Sequence, residues 1–536
     1  MTVRLTADDA TLTASFLALR TPDDIARLLD VSSRELRFYL YKSHKYRTFE
    51  ITKRSGGPRK ICSPDNALKI IQRKLNQALQ AVYRGRSPVH GFTRRRSVRS
   101  NARRHLGCKL LLNFDLENFF PSIHFGRVEG LFKSAPYSLP EPAARVLAQI
   151  CCFNSRLPAG APTSPVVANM ICARMDAQLK GLASRFECTY TRYADDISFS
   201  TTLEQFPPAI AERSPSSPKW VIGDQLGKIV AANDFKINTS KTRVYTRGTR
   251  FEVTGLTLSE RVNVRRKLIS QVRAMLHARE KYGLPAAQAE FETKYDAKIR
   301  KSRPADFDEV LRGKIEFVGF IRGRDDELFL KLLGRYAEQV PTAKLRPVTL
   351  TPSASDTVLG QAIWLLEDEE EYFQGTAFAA QGYGLLTAWH VAEHNMVASR
   401  PLFSPRRYKV TVVKKSQEVD LAQLTIDGPI PVQFALGAPE KLGVGDHITL
   451  AGFPNYHVGD SVHIARGPIS QTRKYMGVPH FVIQPSIIHG NSGGPVLDSS
   501  NHVVGVAVKG QGTPGRFSHE DELSSFVPTT MLKELK

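Results

Sequence analysis

Three aspartates in the first half of the chain, and a histidine, an aspartate and a serine in its last third, have the types and spacing to do chemistry. Asp195 and Asp196 adjoin in the run Cys188-Thr-Tyr-Thr-Arg-Tyr-Ala-Asp-Asp-Ile-Ser-Phe-Ser200, flanked by apolar and β-branched residues. That pattern predicts a β-hairpin carrying both carboxylates at its tight turn. Asp115 closes the apolar run Lys109-Leu-Leu-Leu-Asn-Phe-Asp115, read as a buried strand, and lies 80 residues before Asp195. The interval leaves room for helices before the hairpin returns beside the first strand. Three carboxylates gathered there can clamp two divalent ions, which activate an attacking hydroxyl and stabilise a leaving pyrophosphate. Further on come Gly384-Leu-Leu-Thr-Ala-Trp-His390, Val419-Asp420-Leu-Ala422 and His489-Gly-Asn-Ser492-Gly-Gly-Pro495. They supply a base, an orienting carboxylate and a nucleophile in the order His390, Asp420, Ser492. Glycines around Ser492 suit a tight loop whose Gly490 and Ser492 amides face an oxyanion.

Other stretches must position these groups. Residues 46–61 read as two strands hinged at Ser55-Gly56-Gly57-Pro58. The tip is basic, and Arg59 and Lys53 are candidates to hold a nucleotide triphosphate. Residues 94–104 form an arginine-rich run, and arginine in place of lysine favours phosphate contact. Arg94, Arg95 and Arg96 are therefore candidate RNA ligands. Leu157-Pro-Ala-Gly-Ala-Pro-Thr-Ser-Pro165 is a rigid loop leading into a helix expected over 166–182. Residues 262–336 read as mostly basic helices. Residues 340–356 hold three prolines and no helical stripe, the texture of a linker. Beyond them short β-rich segments punctuated by glycine predict a sandwich or barrel.

A chain of 536 residues is too long for one core. Its 74 Lys+Arg against 52 Asp+Glu leave a net charge of +22, which favours a polyanionic partner, nucleic acid ahead of a membrane surface. Residues 1–20 contain no sustained apolar stretch, so no signal peptide is expected, and no apolar run is long enough to span a membrane. The six cysteines all lie within the first 188 residues and match neither a zinc site nor a disulfide framework. The C-terminal third does without disulfides, so a cytoplasmic location is expected.

Taken together, residues of about 25–336 resemble a reverse transcriptase of the bacterial retron type. Asp115 with Phe119-Phe120 is similar to the family's first catalytic strand, and Tyr193-Ala194-Asp195-Asp196 to its second. The proline-rich loop resembles the family's nucleotide-binding segment, except that Ala159 stands where the family usually has Gln. Asn101-Ala-Arg-Arg-His105, Val253-Thr-Gly255 and Leu311-Arg-Gly-Lys-Ile315 are further retron-like marks. The resemblance implies that Asp115, Asp195 and Asp196 hold Mg²⁺ and that dNTPs are the substrates. It implies that Phe120 excludes a ribose 2′-OH, that Lys241 protonates pyrophosphate, and that Asn101 and His105 belong to the RNA-binding region. The implied partners are a cognate structured non-coding RNA and its RNA–DNA product; the oligomeric state, monomer or homo-oligomer, is left open.

Residues of about 357–536 resemble a bacterial trypsin-like protease. Asn491 stands where secreted trypsins carry the aspartate that pairs with a freed N-terminus, which argues against zymogen activation. Ser486, six residues before the serine, hints at an uncharged P1 side chain. The expected fold is thus multidomain: an α+β right-hand polymerase, with fingers and palm over 1–262 and thumb over 263–339, then a linker over 340–356. An all-β double-barrel trypsin-like domain follows over 357–536. The expected function is RNA-templated synthesis of a small RNA-linked DNA, with a fused serine protease as effector, in anti-phage defence and gated by the bound nucleic acid. Two other readings stay on the page. One is a ribonucleoprotein scaffold with a peptide-binding protease-like module, against which the intact Asp and His/Asp/Ser sets argue. The other is a mobile-element reverse transcriptase, which would normally carry an endonuclease or maturase region.

Overall fold

The computed structural model describes residues 4–41, 45–52, 57–214, 220–295, 305–340, 347–351, 354–368, 373–401, 403–508 and 523–535. The chain forms two compact units, Met1–Arg265 and Arg266–Lys536.

The first unit is built on a four-stranded antiparallel sheet in the order Cys188–Tyr193, Asp196–Thr201, Leu110–Leu116, Ile237–Tyr245. Along Leu110–Leu116 the side chains of Leu110, Leu112, Phe114 and Leu116 point into the core, and the alternation delivers Asp115 to the opposite face. The expected helix over 166–182 is two helices, Ser164–Ile171 and Ala173–Arg185, meeting at Cys172. Their buried Val166, Val167, Met175 and Leu179 share one core with Ile197 and Phe199 of the sheet. Helix Asn66–Val82 is capped by Asp65, whose carboxylate accepts from Leu68 N at 2.8 Å. It buries Ile71, Leu75 and Leu79 in that core.

The expected basic hairpin is present as Tyr46–Thr52 paired with Pro58–Pro64. Lys53 lies outside the described residues, and Arg59 is placed only by its backbone, opposite Ile51. The proline-rich loop docks on this hairpin: Cys62 N donates to Ala159 O at 2.9 Å. Gly160, at φ +127°, has no room for a Cβ, which would stand 2.7 Å from Cys62 O.

The second unit opens with helices Arg266–Tyr295, Phe307–Arg322 and Glu327–Gln339, the first interrupted at Gly283, two residues before Pro285. The helices expected as a thumb therefore fall in the same unit as the β-rich part. Of residues 340–356, 341–346 and 352–353 lie outside the described residues. Val348–Thr349 pairs in parallel with Val432–Gln433, so this part is a docked strand. Two closed six-stranded barrels follow, one from Ile363 to Ile426 and one from His447 to Pro528. Within this unit Glu338, at the end of the third helix, accepts from Arg400 Nη2 of the first barrel at 3.1 Å, and its carbonyl accepts from Arg406 Nη1 at 3.0 Å. Arg400 is buried and its guanidinium lies 5.0 Å from the Trp364 ring centroid.

Candidate active sites

In the first unit the register sets Asp115 directly opposite Asp196 on neighbouring strands, while Tyr193 pairs with Asp196 across a two-residue turn made of Ala194 and Asp195. Ala194 has φ +59°, the left-handed value that the first position of such hairpin turns requires. Burial, then the Asp115 carboxyl beside it, pushes the Asp196 carboxyl up to about 8. Lys241, on strand Ile237–Tyr245, puts its ammonium on the Asp115 carboxylate, and that bond holds its pKa above the ordinary lysine value. Among the described residues no three or more His, Cys, Asp or Glu are already drawn together as a cage. The donor set nevertheless fits a hard divalent cation, because two carboxylates face each other on neighbouring strands and a third stands at the adjoining turn.

Phe120, in helix Phe119–Ser122 just past Asp115, has its ring centroid 6.3 Å from that of Phe92. Phe92 was not singled out from the sequence. Nor were Arg192, Asp176 and Asn169, which form a buried network under the acidic turn. A signal was available: Arg192 shares a strand face with Tyr190, and Asp176 lies on the apolar stripe of its helix beside Met175 and Leu179. A charge at each of two buried positions calls for a mutual partner.

The arginine-rich run divides. Arg94 and Arg95 are exposed, with Arg94 paired to the exposed Asp9. Arg96 instead aims Nη1 at the carbonyl oxygens of Arg86, Ser87 and Val89 (2.7, 2.6 and 2.7 Å) and holds the preceding loop. Asn101 and His105, which the resemblance placed in the RNA-binding region, are both buried. His105 bridges Ser200 Oγ and Thr191 Oγ1, each at 2.7 Å. Burial lowers its pKa to about 3, so it braces the sheet as a neutral ring.

In the second unit His390 sits in the first turn of helix Trp389–Ala392, after strand Gly384–Thr387. Its Nδ1 lies 2.8 Å from Asp420 Oδ2, and its backbone N donates to Asp420 Oδ1 at 3.0 Å. Asp420 therefore fixes both the ring and its tautomer, with the proton on Nδ1 and Nε2 free to act as base. Ser492 is brought to the same place by glycine. A Cβ on Gly493 would stand 2.1 Å from Thr387 Oγ1 and 3.0 Å from Ala388 N, so only glycine lets the serine loop press against the segment leading to His390. Thr376 completes the fastening: its N donates to Ser492 O at 2.9 Å and its hydroxyl to Gly490 O at 2.6 Å.

The His489 carbonyl accepts from Asn455 N at 3.0 Å. In a trans peptide the Gly490 N–H then points the other way. Among the described residues neither Gly490 N nor Ser492 N donates to a backbone carbonyl. The Asn455 hydrogen bond thus holds the His489 carbonyl at the head of the serine loop. Ser486 is exposed.

Comparison with known proteins agrees with both halves. Residues 51–258 match the reverse transcriptase (RNA-dependent DNA polymerase) family and residues 375–506 the trypsin-like peptidase domain family. The chain is 33% identical over 265 residues to the retron Ec86 reverse transcriptase of Escherichia coli, covering 47% of this chain and 76% of that one. It belongs to the retron reverse transcriptase family. The retron Mx65 reverse transcriptase of Myxococcus xanthus is 35% identical over 285 residues, 48% of this chain, and the chain spans 62% of that relative's length. A solved HtrA-type protease, AlgW with a tripeptide, is 25% identical over 33% of this chain and 58% of its own, with a TM-score of 0.28. In this retron-family chain, then, a trypsin-like peptidase domain of two six-stranded barrels follows the reverse transcriptase domain.

Proposed function

We propose that the chain is an RNA-directed DNA polymerase that copies a structured non-coding RNA into a small RNA-linked DNA, and that its second domain is a serine endopeptidase. The observation that carries the polymerase reading is Asp115 facing Asp196, with Asp195 at the turn between paired strands. Asp115, Asp195 and Asp196 would hold Mg²⁺. When bound, the ions lower the pKa of the attacking hydroxyl and neutralise charge on the leaving pyrophosphate. Lys241 gives a proton to that pyrophosphate, and Phe120 fills the space a ribose 2′-OH would need. The exposed Arg94 and Arg95 contact RNA phosphates. The test is template-dependent dNTP incorporation by the full chain and by the Asp195→Ala/Asp196→Ala variant, which should lose it by several orders of magnitude. Undiminished synthesis by the folded variant would overturn the assignment.

In the peptidase, Ser492 Oγ attacks the scissile carbonyl while His390 Nε2 takes its proton and later passes it to the leaving amine. The Gly490 and Ser492 amides receive the oxyanion, and Asp420 stabilises the imidazolium. The protein acts in the cytoplasm, and the protease is the effector of an anti-phage defence gated by the RNA–DNA product. With the oxyanion loop held by Asn455, the gate acts through the helices ahead of the barrels. Glu338 hands Arg400 and Arg406 to the first barrel, giving those helices a polar grip on it. Peptidase activity of the purified ribonucleoprotein, measured before and after nuclease digestion, tests the gate. Equal activity in both states would leave two independent enzymes on one chain.

A further inference from the structure

The acidic turn rests on a charged network buried from solvent. Arg192 and Asp176 are both fully buried, joined by Nε–Oδ1 and Nη2–Oδ2 bonds of 2.8 and 2.7 Å. Arg192 Nη1 donates to Ala194 O at 3.0 Å and to Asn169 Oδ1 at 3.1 Å. Asn169, itself buried, donates Nδ2 to Gly91 O at 2.9 Å. Gly91 in turn lies flat on the turn, where a Cβ would stand 2.4 Å from Ala194 N. The next residue, Phe92, is 41% exposed and has φ +57°. A bulky aromatic residue keeps that backbone only where its surroundings impose it. Its ring faces Phe120.

A buried ion pair is poor evidence for stability, since apolar residues of the same volume usually serve as well. What apolar residues could not do here is satisfy the Ala194 and Gly91 carbonyls together. We propose that Arg192 and Asn169, anchored by Asp176, are positioning residues for DNA synthesis. Through Ala194 O they set the turn that presents Asp195 and Asp196, and through Gly91 O they set the Phe92–Phe120 ring pair against that turn. This makes Phe92 a second specificity-determining ring beside Phe120 at the sugar of the incoming nucleotide. The inference rests on the polymerase reading for its second half, and on the carboxylate site alone for its first.

The test uses the full chain and three variants. Arg192→Lys keeps a charge for Asp176 but loses the forked bonds. Asn169→Ala removes both links and leaves the ion pair intact, so it remains foldable where Arg192→Lys is not. Gln72→Leu, at a buried glutamine that bonds Tyr46 and the Ile150 carbonyl in the same unit, is the stability control. Two quantities are read: Mn²⁺ affinity by calorimetry without nucleotide, and the preference for dTTP over UTP on a poly(rA)–oligo(dT) template. Arg192→Lys and Asn169→Ala should weaken Mn²⁺ binding by about tenfold, as loss of groups that orient metal ligands does. Asn169→Ala should also lower the dTTP preference by about tenfold with Phe120 untouched. Gln72→Leu should lower the melting temperature and move neither. Values within about twofold of wild type in folded variants, or equal movement in Gln72→Leu, overturn the proposal. A shift in Mn²⁺ affinity alone removes Phe92 from it. Wild-type protein that binds Mn²⁺ but incorporates no dTTP overturns the polymerase reading, and the positioning of the turn is then judged on Mn²⁺ affinity.

Discussion

The two catalytic constellations solve opposite electrostatic problems. In the peptidase domain, base and orienting carboxylate satisfy each other: Asp420 accepts from both the ring and the backbone of His390, and the serine loop is fastened by Thr376 and Asn455. In the polymerase domain like charges confront each other, Asp196 is held protonated up to about 8, and Lys241 covers Asp115. At the first site, base and orienter are satisfied within the polypeptide. The second, in the proposed reading, is completed by cations and nucleotide. That difference suits the proposed division of labour, because a pair that is already satisfied needs its control elsewhere, whereas a site that waits for ligands carries its own.

The sharpest way to break this contrast is to remove the peptidase's internal complementarity. Asp420→Asn keeps the shape of the side chain but can present its amide to His390 Nδ1, favouring the wrong tautomer. Peptidase turnover should fall by about 10⁴-fold with folding intact, while DNA synthesis is unchanged. A loss of tenfold or less on a peptide substrate would mean that Asp420 is not the orienting group.

A smaller effect is expected at the sugar. Phe120→Val should leave dNTP incorporation active and improve rNTP use relative to dNTP by about tenfold to a hundredfold, the range for one steric contact in a pocket. Unchanged discrimination, measured as the ratio of kcat/KM values, would leave Phe120 as core packing beside Phe119 and Phe92.

The charge imbalance itself has a thermal signature. A carboxyl whose pKa is raised on folding binds its proton more tightly in the native state, so between the ordinary value of 3.8 and about 8 the folded protein loses stability as pH rises. In EDTA the first unit's melting temperature should therefore fall from pH 5 to pH 8. Mg²⁺ should restore it most at the upper end, and Asp196→Asn should flatten the slope. Lys241→Met, which strips Asp115 of its counter-charge, should steepen the need for Mg²⁺. A pH-independent difference between EDTA and Mg²⁺ would count against cation binding at these carboxylates.

How legible all this was in the sequence depends on whether a residue acts locally. The acidic hairpin was readable because alternation and a two-residue turn are properties of a dozen contiguous residues, whereas the register that sets Asp115 opposite Asp196 comes from the sheet. The two barrels were readable as texture, and the order His390, Asp420, Ser492 as motif. What escaped was long-range. Arg192 finds Asp176 on a preceding helix, Asn169 finds Gly91 across 78 residues, and nothing local says which partner a buried charge will take. The same limit applies to Asn101 and His105, which the retron resemblance placed in the RNA-binding region and whose burial a local pattern does not report. Cys172, between two helices expected as one, is a matter of geometry that propensity does not report.

The smallest effect concerns the basic surface, and it separates residues that composition alone makes equal. Each exposed arginine that contacts a phosphate releases counterion on binding, so losing it should lower the slope of log K against log salt by about 0.7 to 0.9. Arg94 and Arg95 are exposed, and Asp9, which pairs with Arg94, is itself exposed, so that pair costs little to open. Arg96 is different, because its guanidinium faces three carbonyls of the 86–89 loop. Arg94→Gln/Arg95→Gln should therefore flatten the salt dependence of RNA binding by about 1.4 to 1.8 in slope with the melting temperature unmoved. Arg96→Gln should do the reverse, lowering the melting temperature through unsatisfied carbonyls while the slope stays within error. An equal loss of slope from Arg96→Gln would return it to the RNA-binding surface, and an unchanged slope in the double variant would make Arg94 and Arg95 a solvated face.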